Sequence, residues 1–393
     1  LNVEDYIMRE QGMHKDEKYC IEILKKLIAF NTVNPPGNEK PAAVYLAELL
    51  GKYGFHCRVQ DLGSNRANLI AEAGAKDGPE FMFNGHLDVV PASGDWKTNP
   101  FEAVIKDGKI YGRGSSDMKG GVAAMCSAAI SYIQHEGAPT HGKLKLLFVT
   151  DEESSNLGEH SYFAEYKPGT WAVIGEPTDL KVAVAHRGVS RDYVDLYGAA
   201  RHAALPEIEE SAVTKAARTI LAIKEISQSL SKRKHEVLPP PGIAVTMLNG
   251  YEKDNVVPEK VRLLLDFRIL PNMSHDEVIK ILKSGLKEQG IEGYELVPHF
   301  FMPGGEIAVS DPFVSLCLDA KKESIGCEPE EGPCAFGASG EQCFLTERGV
   351  KAVICGPGSL AQAHTIDEFT TEEQVRKAQE FYEALLKKVF NQT

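Results

Sequence analysis

The chain has 393 residues, which is more than a single hydrophobic core usually holds and therefore suggests two domains. With 43% hydrophobic and 25% charged residues it has the composition of a globular protein, and its longest apolar runs are far too short to cross a bilayer. The formal net charge of −13 argues against a nucleic-acid partner held through phosphate contacts, so we expect neither nucleic acid nor membrane as a partner.

The first part of the chain predicts alternating helices and strands. Apolar residues recur at helical spacing over residues 15–30 and 41–53, and a Pro-Pro-Gly breaker at 35–37 separates the two helices. A further helix is predicted over 119–134, among four apolar runs with strand character at Asn68–Ala71, Phe81–Asn84, Lys143–Thr150 and Trp171–Ile174. This alternation is typical of an α/β sheet covered by helices.

From about residue 187 the pattern changes to strand, helix, two strands, helix and strand. These elements are predicted at Ser190–Tyr197, Ser211–Gln228, Ile243–Leu248, Val261–Arg268, His275–Gln289 and Tyr294–Val297. The β-α-β-β-α-β order is the ferredoxin-like pattern, a two-layer unit that can stand alone.

After about residue 299 the α/β alternation resumes. Helices are predicted at Pro312–Ser324 and Glu372–Val389, with a strand at Ala352–Ile354 between them. We therefore predict a discontinuous α/β domain formed by residues 1–186 and 299–393, with the ferredoxin-like domain inserted at 187–298.

The eight cysteines are scattered without a CxxC pair. This spacing indicates neither a thiolate zinc site nor a thioredoxin-like motif. Cysteines in a reducing compartment are usually free and pack as small core residues. Since no signal-peptide pattern opens the chain, we expect a cytoplasmic protein with free cysteines.

Acidic and histidine residues follow the predicted strands of the α/β domain. His86 and Asp88 come directly after the Phe81–Asn84 strand, and their spacing of two directs both side chains to one face of an extended segment. Asp88 could therefore accept a hydrogen bond from the second ring nitrogen of His86 and fix its tautomer.

Further residues of the same kind lie in loops rich in glycine and proline. Asp117 is in GRGSSDMKGG, whose glycines let the backbone approach an ion closely. Glu152 and Glu153 follow another strand and point in different directions, so that one could bind a metal while the other faces a bound water. Glu176 and His364 follow two more strands.

Each of these signals is weak by itself, but together they are specific. The carboxyl ends of the strands are where an α/β sheet places its active site, and five strand ends each deliver a His, Asp or Glu. Zinc in catalytic sites prefers imidazole and carboxylate ligands. The sequence therefore predicts a zinc centre at this edge of the sheet.

Five sequence blocks resemble one enzyme family: NGHLDVVP, GRGSSDMKGG, TDEES, GEPTD and AHTIDEF. In these blocks, and in their order, the chain is similar to the co-catalytic zinc metallopeptidases that include acetylornithine deacetylase, succinyl-diaminopimelate desuccinylase, aminoacylase and carboxypeptidase G. The inserted domain resembles the family's lid and dimerisation domain. The resemblance thus covers nearly the whole chain.

The resemblance implies two zinc ions that share Asp117 and a bridging water or hydroxide. His86 and Glu176 would complete one ion, and Glu153 and His364 would complete the other. Cobalt or manganese could occupy the same ligands. Such ions lower the pKa of the bridging water and polarise the scissile carbonyl.

It also implies roles for residues that bind no metal. Glu152 would be the general base that takes the proton of the water and delivers it to the leaving amine, and Asp88 would orient a histidine ligand. In the inserted domain, His202 would reach a neighbouring subunit's active site and stabilise the oxyanion, which implies a homodimer. Asn255 and Arg268 would hold the substrate's carboxylate, a role that suits the planar guanidinium of arginine.

Some positions depart from the family pattern. Arg201 and Ala203 flank His202 where a small residue and Ser or Thr are usual, and FGASGEQ at 336–342 lacks the Thr-Asp or Thr-Glu pair often found there. Without the resemblance, an exposed strand-end cation explains Arg268 equally well. The predicted metal ligands are unaffected.

We therefore predict a zinc-dependent amidohydrolase that acts on a small N-acyl amino acid, because GPGSLAQAHTIDEF looks most like acetylornithine deacetylase and the desuccinylase. A dipeptidase or carboxypeptidase of the same fold is the alternative, since specificity lies in lid contacts and loop shape.

A non-catalytic binding module would lack the general base or a metal ligand, and here the base and all five predicted ligands are present. A nucleotide-binding protein is disfavoured because GRGSSDMKGG lacks the GxxxxGK[ST] pattern and a third glycine at dinucleotide spacing.

Overall fold

The computed structural model describes residues 16–205, 210–326 and 331–391. Residue contacts divide this part of the chain into two units. Unit 1 holds the chain up to Val184, Ile307–Phe336 and the chain from Gly340 onward, and unit 2 holds Ala185–Glu306 and Gly337–Ser339. Unit 2 contains the strands Tyr294–Met302 and Gly305–Glu306 and so continues past residue 298, where the sequence predicts the end of the inserted domain.

The helices and strands of the described ranges are numbered in chain order. The helices are α1 Asp16–Ala29, α2 Lys40–Gly51, α3 Lys119–Glu136, α4 Leu157–Glu165, α5 Ala212–Leu230, α6 His275–Glu288, α7 Pro312–Ser324, α8 Gln342–Thr346 and α9 Glu372–Phe390. The strands are β1 His56–Gly63, β2 Arg66–Gly74, β3 Glu80–His86, β4 Val104–Lys106, β5 Lys109–Tyr111, β6 Lys143–Val149, β7 Trp171–Pro177, β8 Ala183–His186, β9 Gly188–Tyr197, β10 Arg201–His202, β11 Gly242–Asn249, β12 Val256–Val257, β13 Lys260–Ile269, β14 Tyr294–Met302, β15 Gly305–Glu306, β16 Cys334–Phe336, β17 Lys351–Gly356 and β18 Phe369–Thr371.

Unit 1 has the α/β fold that the sequence predicts. Its sheet runs in the order β1-β2-β6-β3-β7-β17-β8. The central strands β6, β3, β7 and β17 are parallel, whereas β1 and β2 join the sheet antiparallel. In β3, β6 and β7 every residue after the first is buried, as expected for parallel strands that are covered on both faces.

The register of these strands brings their carboxyl ends to one edge of the sheet. His86 at the end of β3 lies opposite Val149 at the end of β6, and Ile174 of β7 lies opposite Asn84 of β3. The residues that follow each strand therefore emerge side by side. This edge is the place where parallel α/β sheets build their sites.

Helix α3 packs unusually close to this sheet. A Cβ atom added at Gly121 would collide with the carbonyl oxygen of Gly175 in β7. Glycine at 121 therefore allows the start of α3 to lie against the end of β7. This contact brings the loop before α3, which contains Asp117, next to Glu176.

Unit 2 contains a four-stranded antiparallel sheet in the order β11-β13-β9-β14. Helix α5 packs on β11 and β13 and against α6. Serine side chains accept hydrogen bonds at the start of both helices, Ser211 from the Thr214 N–H and Ser274 from the Glu277 N–H. Along the chain, β9, α5, β11, β13, α6 and β14 follow the β-α-β-β-α-β order expected from the sequence.

Three further sequence predictions concern membrane spans, the cysteines and the location of the protein. Among the described helices, none is long and apolar enough to span a membrane. No disulfide bond joins the cysteines of the described ranges, as predicted, and Cys327 lies outside those ranges. A cytoplasmic location stays a prediction.

Candidate metal centre

Asp117 lies at the centre of a cluster of imidazole and carboxylate groups in unit 1. Its Oδ1 is 3.1 Å from Nε2 of His86, and its Oδ2 is 3.2 Å from Nε2 of His364. Glu176 Oε1 is 3.3 Å from the same nitrogen of His86, and Glu153 Oε1 is 3.0 Å from the same nitrogen of His364. The two oxygens of Asp117 therefore face two separate His–Glu pairs.

The two histidines bind protons tightly in this arrangement. Burial opposes the charged form of His86, but hydrogen bonds to Asp117 and Glu176 raise its pKa well above the ordinary 6.5. Hydrogen bonds to Asp117 and Glu153 raise the pKa of His364 to about 10. Each imidazolium thus supplies positive charge to the surrounding carboxylates, a role that a divalent cation can fill.

The glutamates of the cluster are crowded with like charge. Burial and the charge of Asp117 raise the pKa of Glu153 and of Glu176. Burial and the charge of Glu341 raise the pKa of Glu152 well above its usual value. These carboxylates can be ionised together only beside positive charge. Ligand atoms of His86, Asp117 and Glu153 lie within 4.8 Å of one another, so the donor set fits metal ions in both chemistry and spacing.

The ring of His86 is oriented differently from the sequence prediction. Its Nδ1 is 2.9 Å from the backbone carbonyl oxygen of Asp88 and 3.6 Å from the carboxylate of that residue. The carboxylate instead accepts hydrogen bonds from the backbone N–H groups of Glu152 and Glu153, both at 3.1 Å, and from Nδ2 of Asn34 at 2.9 Å. Asp88 therefore directs Nε2 of His86 toward Asp117 through its main chain, and its side chain holds the Glu152–Glu153 turn.

A buried polar network behind Asp88 was not predicted. Asn34 also donates to Asp151 at 2.8 Å, and Arg66 donates to Asn34 Oδ1 at 2.6 Å, to the Pro36 carbonyl and to Asp151. Asn34 lies just before the prolines that we interpreted only as a helix breaker, and Asp151 lies inside the TDEES block. No sequence pattern indicated Arg66, because its partners come from distant parts of the chain.

Glu341 was also missed, although it lies in the FGASGEQ segment. Its side chain is fully buried, and neither of its carboxylate oxygens makes a hydrogen bond to another residue in the described ranges. Burial raises the pKa of Glu341 to about 7. It is therefore an additional carboxyl group near Glu152 that can be neutral at physiological pH.

The three remaining predicted site residues belong to unit 2. Pairing of β10 with β12 brings the Asn255 amide to 3.3 Å from Nε2 of His202. Nδ1 of His202 accepts a hydrogen bond from the Ala204 N–H at 3.1 Å. Arg268 donates to Asp266 at 2.8 Å and has a side chain that is 40% exposed. The roles assigned to these three residues stay predictions.

Comparison with known proteins identifies the family. The family sequence model of peptidase family M20/M25/M40 matches residues 82–388 of this chain. The chain belongs to this family. The resemblance inferred from the sequence blocks is thereby confirmed, and so is the enzyme class, since the protein is a hydrolase that acts on amide bonds.

Individual relatives match over almost the whole chain. An acetylornithine deacetylase from Vibrio cholerae is 29% identical over 369 residues, which cover 90% of this chain and 94% of that protein. A probable succinyl-diaminopimelate desuccinylase from Staphylococcus epidermidis is 27% identical over 406 residues, with coverage of 94% and 98%. The crystal structure of a dinuclear metal-binding M20 peptidase from Bacillus subtilis aligns with a TM-score of 0.70, 13% identity and coverage of 96% and 99%. This last similarity supports the α/β fold predicted from the sequence.

Proposed function

We propose that the protein is a metal-dependent deacylase that hydrolyses the N-acyl amide bond of a small amino acid. The geometry of Asp117 is the observation on which this proposal rests, because its two oxygens face two His–Glu pairs. The names of the Vibrio and Staphylococcus relatives support an acetylated or succinylated substrate.

Two zinc ions would be held by the cluster in this proposal. His86 and Glu176 would bind one, Glu153 and His364 the other, and Asp117 both. The Bacillus protein of the same fold binds two metals, and zinc favours imidazole and carboxylate ligands, although cobalt or manganese could occupy the same positions. When bound, the ions would lower the pKa of water and polarise the scissile carbonyl.

Glu152 would transfer the proton during hydrolysis. Its backbone N–H is held by Asp88, and the positive charge of bound metal ions would keep its buried carboxylate ionised and able to accept a proton. Glu152 would take the proton of the attacking water as the new C–O bond forms. It would return that proton to the amine nitrogen as the C–N bond breaks, which yields a carboxylic acid and a free amino group.

Unit 2 would contribute to substrate binding and to a homodimer. Asn255 and Arg268 would hold the substrate's carboxylate, and His202 would stabilise the oxyanion in the neighbouring subunit. The strand β11 forms one edge of its sheet, and Met247 and Leu248 on this strand are 57% and 60% exposed. An exposed apolar edge strand of this kind favours association with a second chain.

A mixing experiment tests the action of His202 across subunits. Glu152→Gln and His202→Ala chains are each expected to be nearly inactive. When they are unfolded and refolded together, heterodimers should regain one working site each, and activity should approach about a quarter of the wild-type value. The proposal would be contradicted if the refolded mixture stayed as inactive as the two single variants. It would also be contradicted if sedimentation showed that the fully active wild-type protein is a monomer.

The substrate class is tested by amide hydrolysis with zinc-loaded protein and a chelator-treated control. The panel contains N-acetylornithine, N-succinyl-diaminopimelate, other N-acyl amino acids and dipeptides. We expect zinc-dependent release of an amine from an N-acyl amino acid. Preference for dipeptides would favour the peptidase alternative, and no turnover of any substrate by protein with two bound zinc ions would refute the proposed function.

A further inference from the structure

Glu368 is a fully buried carboxylate that touches the loop before α3. Its Oε1 accepts hydrogen bonds from the backbone N–H groups of Ser116 and Asp117, at 2.9 and 3.0 Å. Its Oε2 accepts from the Gly114 N–H at 3.1 Å and from Nη1 of Arg113 at 2.5 Å. One carboxylate thus gathers three main-chain amides and a guanidinium from a single short loop.

The same loop is tied to the segment around residue 360 at other points. The Gly112 N–H donates to the Glu368 carbonyl at 3.0 Å. Ser116 Oγ donates to the Ser359 carbonyl at 3.1 Å and accepts from the Ser359 N–H at 3.0 Å. The loop that presents Asp117 is therefore joined to the segment that presents His364.

The segment needs such support because its backbone is unusual. His364 and Asp367 have φ values of +62° and +55°, which are uncommon for residues other than glycine. A conformation of this kind persists where the surrounding contacts impose it. Glu368 follows directly after Asp367 and four residues after His364, and its buried carboxylate anchors this part of the chain.

Arg113 extends the connection to a third segment. Besides Glu368, its guanidinium donates to the Pro91 carbonyl at 3.3 Å and lies over the Trp96 ring at 5.1 Å. Pro91 follows His86 in the NGHLDVVP block. The Arg113–Glu368 pair thus contacts the loops that contain Asp117 and His364, and also the segment that follows β3 and His86.

We propose that Glu368 is the positioning residue that sets the separation of Asp117 from His364, and with it the geometry of the metal position between His364 and Glu153. This inference rests on the proposed metal centre. The other position depends less on Glu368, because His86 and Glu176 lie on β3 and β7 and are held by the central sheet.

The test is a calorimetric titration of metal-free Glu368→Gln protein with zinc, which measures the affinity for each zinc equivalent. An amide keeps the shape of the side chain but directs an NH₂ group at two of the four donors, so the loop must move. We expect the affinity for one zinc equivalent to fall by about 10–100-fold, as when other residues that support metal ligands are replaced. The affinity for the other equivalent should change by a much smaller factor.

The matched control is Asp367→Asn, the adjacent acid on the same segment. Its Oδ1 accepts from the Lys97 N–H at 2.9 Å, which an asparagine oxygen can also do, and asparagine tolerates a positive φ. The ion pair of its Oδ2 with the exposed Lys97 ammonium at 3.2 Å is lost, but a surface pair of this kind contributes little. Both zinc affinities of this control should equal those of the wild type. The inference would be overturned if both zinc affinities of Glu368→Gln stayed at their wild-type values. It would also be overturned if the Asp367→Asn control lost as much zinc affinity as Glu368→Gln.

If Glu368→Gln does not fold, Glu368→Asp takes its place. The shorter acid keeps the charge but withdraws the carboxylate from the amides, so the affinity for the same zinc equivalent should fall. If Glu368→Asp bound both zinc ions with wild-type affinity, the inference would be overturned. Titration of the wild-type protein distinguishes a failure of the proposed function from a failure of the role of Glu368. If the wild type binds two zinc ions but hydrolyses no substrate, only the proposed function is refuted. If it binds no second zinc ion, the proposed function and the role of Glu368 are both refuted.

Discussion

Replacing Glu152 with glutamine is expected to lower kcat by about 10²–10⁴-fold, the usual contribution of a general base, while two zinc ions stay bound. The amide cannot accept the proton of the attacking water, so hydrolysis loses its proton carrier. Metal binding should survive because the His–Glu pairs around Asp117 are formed by other residues. Initial rates on the preferred substrate and zinc content after dialysis measure the two effects separately.

The adjacent residue provides a contrast for this experiment. Glu153→Gln makes the same chemical change one position along the chain, but Glu153 is 3.0 Å from Nε2 of His364. It should therefore lose zinc as well as activity. Glu373→Gln, an exposed acid in α9 that pairs with Lys377, should change neither. Zinc loss from the Glu152 variant would show that Glu152 is a ligand and that its role is wrongly assigned.

Much of the fold was predictable because long apolar patterns repeat with a clear period. Helix α7 spans Pro312–Ser324 as the sequence predicts, and in the structure the Asp311 side chain caps its start by accepting from the Phe313 N–H. The strand β1 was missed because its residues are largely polar and only Gln60 is buried, so that it contains no apolar run. Helix α4 has only 9 residues, too few for the helical period to stand out from the loops on either side.

The candidate site was predictable where residues follow strands in recognisable blocks. His86 and Glu176 lie together because β3 and β7 are neighbouring parallel strands, and Asp117 reaches them from the loop before α3, which follows none of these strands. Asp88 differs, because its backbone carbonyl rather than its carboxylate approaches the imidazole, and sequence spacing does not distinguish a side chain from the main chain. Glu368 lies inside the AHTIDEF block, but its partners are about 250 residues away, so only the folded chain reveals its contacts.

Replacing Asp117 with asparagine is expected to weaken both zinc positions by more than about 100-fold, since a shared ligand should matter more than the supporting residues whose loss costs 10–100-fold. The amide would keep the shape of the side chain but lose the negative charge and one of the oxygens that face His86 and His364. Activity should fall with the bound metal. Calorimetric titration of metal-free protein measures each equivalent.

The outcome of the Asp117→Asn titration distinguishes a shared ligand from two independent sites. If Asp117 binds only one ion, one zinc equivalent should keep its wild-type affinity while the other is lost. Asp107→Asn serves as the matched control, because Asp107 is exposed and has a positive φ of +52°, which asparagine adopts readily. Loss of both equivalents in the Asp117 variant, with neither lost in the control, is what two His–Glu pairs around one carboxylate require.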